Sequence, residues 1–420
     1  MYLKELTNEE FSNFTNVYIQ DSVYQTKEYA FTMNKQGFDS LFLGLVDDSG
    51  TIIAATLLLV QKKHGFRYAY APRGFLLDYT NYPLFEAFTI AIKKYLSKKD
   101  VIAIKLCPIF IKNVYNSKNV LVGVNRKFDT IFESFKKLGY YHLGYNNFFE
   151  SLKPRFENTI DISKPTTEIY KSFDRGTKNK IRKAIRCGIS IHKGDEKDLQ
   201  YTYLQLKDKY SRKLNYFDML YDCFSKIGAV EFYYSKLDTD KYMKIIKEKY
   251  DSYENRISSV SDFLISAPDF AGKEFHVKQK MDLDKEFDNY RTKIVRATEL
   301  LKNYPEGAIL STGLVIKQKE TVYLFISSHD KTLKEFSGNH LLIWSLIDKY
   351  TKEGYKNLNL GGLTNITLDD NKYKGLNDFK RGFGGNTYEF VGDYELVTNS
   401  TLYFMYKNSA PFRTIFKKKN

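Results

Sequence analysis

AILSTGLVIKQKETVYLFIS, Ala308 to Ser327, reads as a strand pair, Ala308–Ile316 and Thr321–Ser327, joined by a short turn. TIIAATLLLVQKKHGFRYAYA, Thr51 to Ala71, has the same form, with strands at Thr51–Val60 and Phe66–Ala71 around a basic turn. After each pair come a loop, a helical stretch and an apolar strand. The helical stretches lie near Phe85–Tyr95 and His340–Tyr350, and the strands at Val101–Leu106 and around Leu358–Leu360. Corresponding elements keep nearly constant spacing. The order predicts an α/β fold built on a duplicated unit, alike in pattern rather than in residue identity.

A different texture lies between the two units. Ile246, Tyr250, Tyr253, Ile257, Val260 and Leu264 follow one another in alternating steps of four and three. Leu283, Phe287, Tyr290, Ile294, Ala297, Leu301 and Tyr304 do the same beyond a breaker region holding Pro268 and Gly272. Two heptad seams with a short connection predict an antiparallel helical hairpin, ended by Pro305 and Gly307. The seam is too narrow for a large core, so an arm projecting from the body is expected. Two helices lying flat on the second unit are the alternative. The expected division is residues 1–152, then 153–237 with 305–420, and the coiled-coil arm at 238–304.

The formal charge of +15 favours an anionic partner: nucleic acid, an anionic membrane face or a phosphorylated substrate. The hairpin is close to neutral, with thirteen Lys and Arg against twelve Asp and Glu over residues 239–304, so the excess sits in the body. Its densest part is KSFDRGTKNKIRKAIRCG, Lys171 to Gly188, where seven cations face one acid, Asp174. Ile181, Ala184 and Ile185 fall on one helical face, with Arg182, Lys183 and Arg186 largely off it. That helix is either a solvated face or a phosphate-reading surface.

Three scattered cysteines, Cys107, Cys187 and Cys223, form no CxxC and no disulfide framework, which points to a reducing cytosol. The acidic, amphipathic start MYLKELTNEEF is unlike a signal peptide, and the run Ile52–Val60 is too short to span a bilayer. No histidine spacing suits a metal, and no G-x-S-x-G or P-loop is present. A duplicated unit around a central strand pair suggests an acyltransferase of the GNAT type. Those enzymes bind the pyrophosphate of acetyl-CoA on an R/Q-x-x-G-x-G/A loop. The chain has APRGFLLD and SSHDKTLKEFSGNH there instead, which disfavours acetyl-CoA as the donor. GLNDFKRGFGG, Gly375 to Gly385, crowds glycine and phenylalanine around Lys380 and Arg381. It is either a tight turn between strands or a glycine-rich wall of an active site.

Taken together these stretches resemble the Fem family of peptidoglycan-bridge aminoacyltransferases over essentially the whole chain. QTKEYAFTMNKQG (Gln25–Gly37), APRGFLLD (Ala71–Asp78), KNKIRKAIRCGI (Lys178–Ile189), KYSRKLNYF (Lys209–Phe217), WSLIDKYTKEGYKNLNLGG (Trp344–Gly362) and GLNDFKRGFGG carry the resemblance. Two departures stand out. Phe75 replaces the usual proline of the first loop, and LCP, Leu106–Pro108, stands where many members have Asp before the proline. The resemblance implies two GNAT-like subdomains with the hairpin inserted in the second. It implies transfer of Gly, Ala or Ser from aminoacyl-tRNA to an amine of a stem peptide, carried by lipid II or UDP-MurNAc-pentapeptide. No cofactor or metal is needed, because the aminoacyl ester is already activated.

By that resemblance Lys380 and Phe379 are catalytic, Lys380 facing the tetrahedral oxyanion or the tRNA terminus and Phe379 contributing backbone. Lys35, Arg73, Asp78, Arg212, Tyr216 and Tyr323 are implied to bind substrate, although Arg212 beside Asp208 also reads as a surface ion pair. Lys178, Arg182, Lys183 and Arg381 are implied to bind tRNA. A cytoplasmic enzyme, peripheral at the inner membrane face and partnered by other Fem-type proteins, is the resulting expectation. A GNAT-like acyltransferase acting on another amine and a non-catalytic RNA- or membrane-surface binding protein are the alternatives.

Overall fold

The computed structural model describes residues 1–408 apart from 21, 64, 208–213, 268–271, 369–370 and the side chain of Lys63. The fold is α/β, with two mixed sheets. Edge to edge, the first runs Tyr2–Glu5, Asp39–Val46, Ile52–Lys63, Phe66–Pro72, Val101–Cys107, Tyr394–Val397 and Tyr140–His142. The second runs Ile189–Gly194, Val230–Leu237, Ala308–Gln318, Thr321–His329, Asn357–Leu363, Phe156–Asp161, Asn386–Phe390, Ile111–Asn116 and Leu121–Val124.

The first five strands of each sheet share one plan. An edge strand leads through two helices to its antiparallel neighbour, then to the antiparallel pair read from the sequence. A crossover helix, Tyr82–Ser97 or Gly338–Lys352, then returns the chain to a parallel strand. The duplication is therefore a property of the fold. The helices after the edge strands also correspond, and Lys27–Asn34 packs on Leu214–Ser225. There the units share a core in which Phe11, Ala30 and Met33 meet Tyr216, Phe217 and Leu220.

The units differ where the second strand meets the third. In the first unit a tight turn suffices: Asp47 accepts hydrogen bonds from the backbone of Ser49 and Thr51, both at 2.9 Å. In the second unit the helices Thr239–Ser266 and Lys273–Asn303 are inserted at this point. They lie against each other along the seam read from the sequence, with Tyr250 on Phe287 and Tyr253 stacked on Tyr290, ring centroids 4.6 and 5.2 Å apart. At their base Tyr242, Ile246, Ala297 and Leu300 join the second core, while Ile265, Phe275 and Met281, farther out, are exposed.

The sheets also exchange strands. Tyr394–Val397 returns to the first sheet between Val101–Cys107 and Tyr140–His142. The hairpin Ile111–Val124 extends the second sheet beyond Asn386–Phe390.

One asymmetry positions the site. In the first unit the parallel ladder runs from Arg67 and Val101 to the strand ends at Pro72 and Cys107. In the second unit the parallel ladder ends at Tyr323 and Asn359, although the strands continue to His329 and Leu363. The strands diverge, and a cavity opens between them.

Candidate functional site

The cavity has a volume of about 1180 Å³. Leu324 to Asp330 line one side, Asn359 to Gly362 the other, and Phe149 to Pro154 (except Glu150 and Ser151) part of the rim. His340, near the start of the crossover helix, and Leu376, Phe379 and Lys380 also line it. A bulge near Gly361 shifts the register against Phe156–Asp161. It needs a glycine, because φ there is +77°.

GLNDFKRGFGG is not the tight turn that its glycines suggest. Lys374–Arg381 is a short α-helix, and the positive-φ glycines, Gly384 and Gly385, follow it. Two contacts win over the glycines. Buried Asn377 accepts from the Thr364 amide at 3.1 Å and donates to the Thr364 hydroxyl at 3.0 Å. The Phe379 ring packs edge-on to His340 and Phe383, with centroids at 4.8 and 5.5 Å. Three residues beyond Asn377, Lys380 shares its helical face and donates to the Gly362 carbonyl at 2.7 Å. Burial lowers the Lys380 ammonium from its ordinary 10.5 to about 8, against the opposing pull of the Glu157 carboxylate.

Glu157, itself on the cavity lining, anchors a charged cluster that reaches back to Arg73. It accepts from Arg73 at 2.5 Å and from Asn359 at 3.0 Å. Burial alone would raise its carboxyl, but Arg73, Asn359 and Lys153 hold it below the usual range. Arg73 also donates to the Pro154 carbonyl at 2.8 Å and lies over the Phe390 ring at 4.2 Å. Lys153, buried, sits 3.0 Å above the Tyr24 ring, a cation–π contact that offsets part of its lost hydration. His340 is lowered to about 3, first by burial and then by the Lys180 cation, so its ring is neutral at pH 7.

The structure therefore brings Lys380, Phe379, Tyr216, Tyr323 and Lys183 to one cavity, with Arg73 one ion pair behind it. Other expected residues lie elsewhere. Lys35 pairs with Asp222 at 2.8 Å across the junction of the units and lines a smaller pocket of about 510 Å³ with Phe31 and Cys223. Asp78 is exposed and caps the turn at Thr80. Arg381 turns away from Lys380, bonding Asp378 at 2.7 Å and the Asn119 side chain. Arg212 lies outside the described residues.

On the basic helix Arg175–Arg186, Lys180 and Lys183 reach the cavity rim. Arg182 stays on the exposed face, and Lys178 donates to the Lys171 carbonyl at 2.7 Å. Ile185 is not on the buried face with Ile181 and Ala184: it is 56% exposed. Sequence reasoning missed Lys153, Glu157, Asn359 and His340. The one local signal was the placing of charged residues at every second position in SLKPRFE, Ser151–Glu157: Lys153, Arg155 and Glu157.

The fold and the sequence are shared with known proteins. FemX, a solved structure, superposes with a TM-score of 0.71 at 21% identity, covering 96% of this chain and 99% of that one, so the fold is shared. Aminoacyltransferase FemB of Staphylococcus epidermidis is 26% identical over 427 aligned positions, the full length of both chains. Aminoacyltransferase FemA of the same species is 23% identical over 97% of this chain and 98% of its own. The sequence model of the FemAB family matches residues 6–409, and the chain belongs to the FemAB family.

Proposed function

We propose that this aminoacyltransferase moves an amino acid from aminoacyl-tRNA to an amine of a peptidoglycan stem peptide, and that the Lys380 cavity is where the transfer occurs. One observation carries the reading. A lysine on a docked helix lines the cavity and, among the described residues, is held by a backbone carbonyl rather than locked to a carboxylate. Attack of the amine on the aminoacyl ester converts a carbonyl oxygen into an oxyanion. An ammonium fixed in a low-dielectric wall stabilises that charge more than one in water would. The diverging strand edges supply backbone groups against which a peptide substrate can lie. Lys180 and Lys183 supply cations for the phosphates of the donor's acceptor end. Arg73 and Glu157 act as positioning residues that hold Asn359 and the field around Lys380.

The test is to incubate the protein with mixed charged tRNAs and either lipid-linked or nucleotide-linked precursor, then weigh the product. The expected result is a precursor heavier by an aminoacyl residue, formed only when the tRNA is charged. Transfer from an acyl-CoA thioester, with none from charged tRNA, would overturn the reading.

A further inference from the structure

The outer edge of the second sheet has a composition that the cavity does not explain. Leu121–Val124 ends the sheet, with Ile111–Asn116 as its partner strand. Side chains along a strand alternate between faces, so a strand packed on a core hides every second residue. Here Val120, Leu121, Val122 and Val124 are 54, 48, 55 and 61% exposed, so both faces of the strand are apolar and open. Lys118, Arg126 and Lys127 flank these residues and are exposed, and no acid occurs between Ile111 and Phe128. The hairpin also sits beside the cavity wall. Asn119 accepts from Arg381 and donates to the Ile366 carbonyl, which ties it to the helix that presents Lys380. Leu152, on the cavity rim, is 64% exposed.

We infer that this hairpin is a membrane-docking face, binding an anionic lipid surface with Val120–Val124 in the interface and the flanking cations among the headgroups. Exposed aliphatic residues bordered by lysine and arginine are what such a surface selects. The edge strand could instead pair with that of a second copy. Antiparallel self-pairing centred on Val122 and Gly123 would set Lys118 opposite Lys127, and like charges directly opposite destabilise a pair. The inference rests on the proposed function in one respect: docking here would bring the cavity mouth to a surface from which a lipid-linked acceptor could reach it.

The experiment is co-sedimentation of the full chain with vesicles of phosphatidylcholine alone or mixed with phosphatidylglycerol. The wild type should bind the anionic vesicles, barely bind the neutral ones, and release as salt rises. K118Q/R126Q/K127Q should bind about fivefold more weakly per cation removed. V122S/V124S should also bind more weakly, and the thermal unfolding of both variants should match the wild type. Failure of the wild type to bind anionic vesicles, or equal binding by all three proteins, would overturn the inference. So would a concentration-dependent dimer in sedimentation that V122S/V124S dissolves, since the occupant would then be a second copy. Transfer to a soluble stem-peptide amine, measured on the same proteins, separates the two readings. Transfer without vesicle binding removes only the docking face, and vesicle binding without transfer removes only the proposed function.

Discussion

Placing an ammonium in the wall of a half-enclosed cavity costs solvation, and Lys380 shows that cost in its lowered pKa of about 8. A cation disfavoured by the folded state destabilises that state fully below the folded pKa. The cost fades as pH rises from about 8 towards the ordinary 10.5. The gap corresponds to roughly 3 kcal/mol, from which a lost hydrogen bond to Gly362 subtracts about 1. Lys380→Met should therefore be more stable than the wild type by about 1–2 kcal/mol at pH 7, and chemical denaturation across pH should show the gain shrinking above pH 8. A destabilised Lys380→Met at pH 7 would mean that the side chain is structural glue. Of the two readings of this segment the tight turn is the one that fails, because four nearby glycines suggest a turn where Lys374–Arg381 forms a helix. The decisive partner of the segment, Thr364, lies thirteen residues from Asn377 and carries no motif.

Two helices set the geometry around that residue. Lys374–Arg381 is only two turns long, too short to be stable alone, so its docking through Asn377 fixes the direction of Lys380. Asn377→Ala leaves the Thr364 amide without its acceptor and should cost about 1–3 kcal/mol in thermal unfolding. Turnover should fall by roughly tenfold or more, because Lys380 is no longer held in place. Wild-type turnover in this variant would show that the helix needs no such anchor. Along Arg175–Arg186 the burial of Ile181 and Ala184 was legible from period, but the exposure of Ile185 was not, and Asp174, read only as the lone acid of the stretch, caps the helix by accepting from the Thr177 amide at 2.5 Å. Which cations face the cavity was not legible either, since helical position relative to a distant wall has no local signature. Reversing Lys180 and Lys183 to Glu should weaken tRNA binding and lower its salt slope by about one per lost phosphate contact, measured by filter binding across salt. Unchanged binding would move the tRNA surface elsewhere.

At the scale of the molecule, the duplicated strand pairs and the seams of the long helices were readable, because each rests on local periodicity. The strand exchange was not readable: Tyr394–Val397 and Ile111–Val124 pair with partners far away in sequence. Exchanged strands, a shared core around Phe11 and Tyr216, and the Arg73–Glu157 ion pair across the junction bind the units together. Calorimetry should accordingly give one cooperative unfolding transition for the two sheets, whereas two well-separated transitions would show that the units are independent. The divergence of Thr321–His329 from Asn357–Leu363, which the first unit lacks, opens the cavity proposed as the transfer site. The most direct test is the single-turnover rate of aminoacyl transfer, with saturating aminoacyl-tRNA, for Lys380→Met beside Arg381→Met. Arg381 faces Asn119 and Asp378, so its loss controls for net charge. The Lys380→Met rate should fall by roughly 10²–10³ and the Arg381→Met rate much less, whereas a Lys380→Met rate within about twofold of wild type would show that Lys380 does not stabilise the transition state.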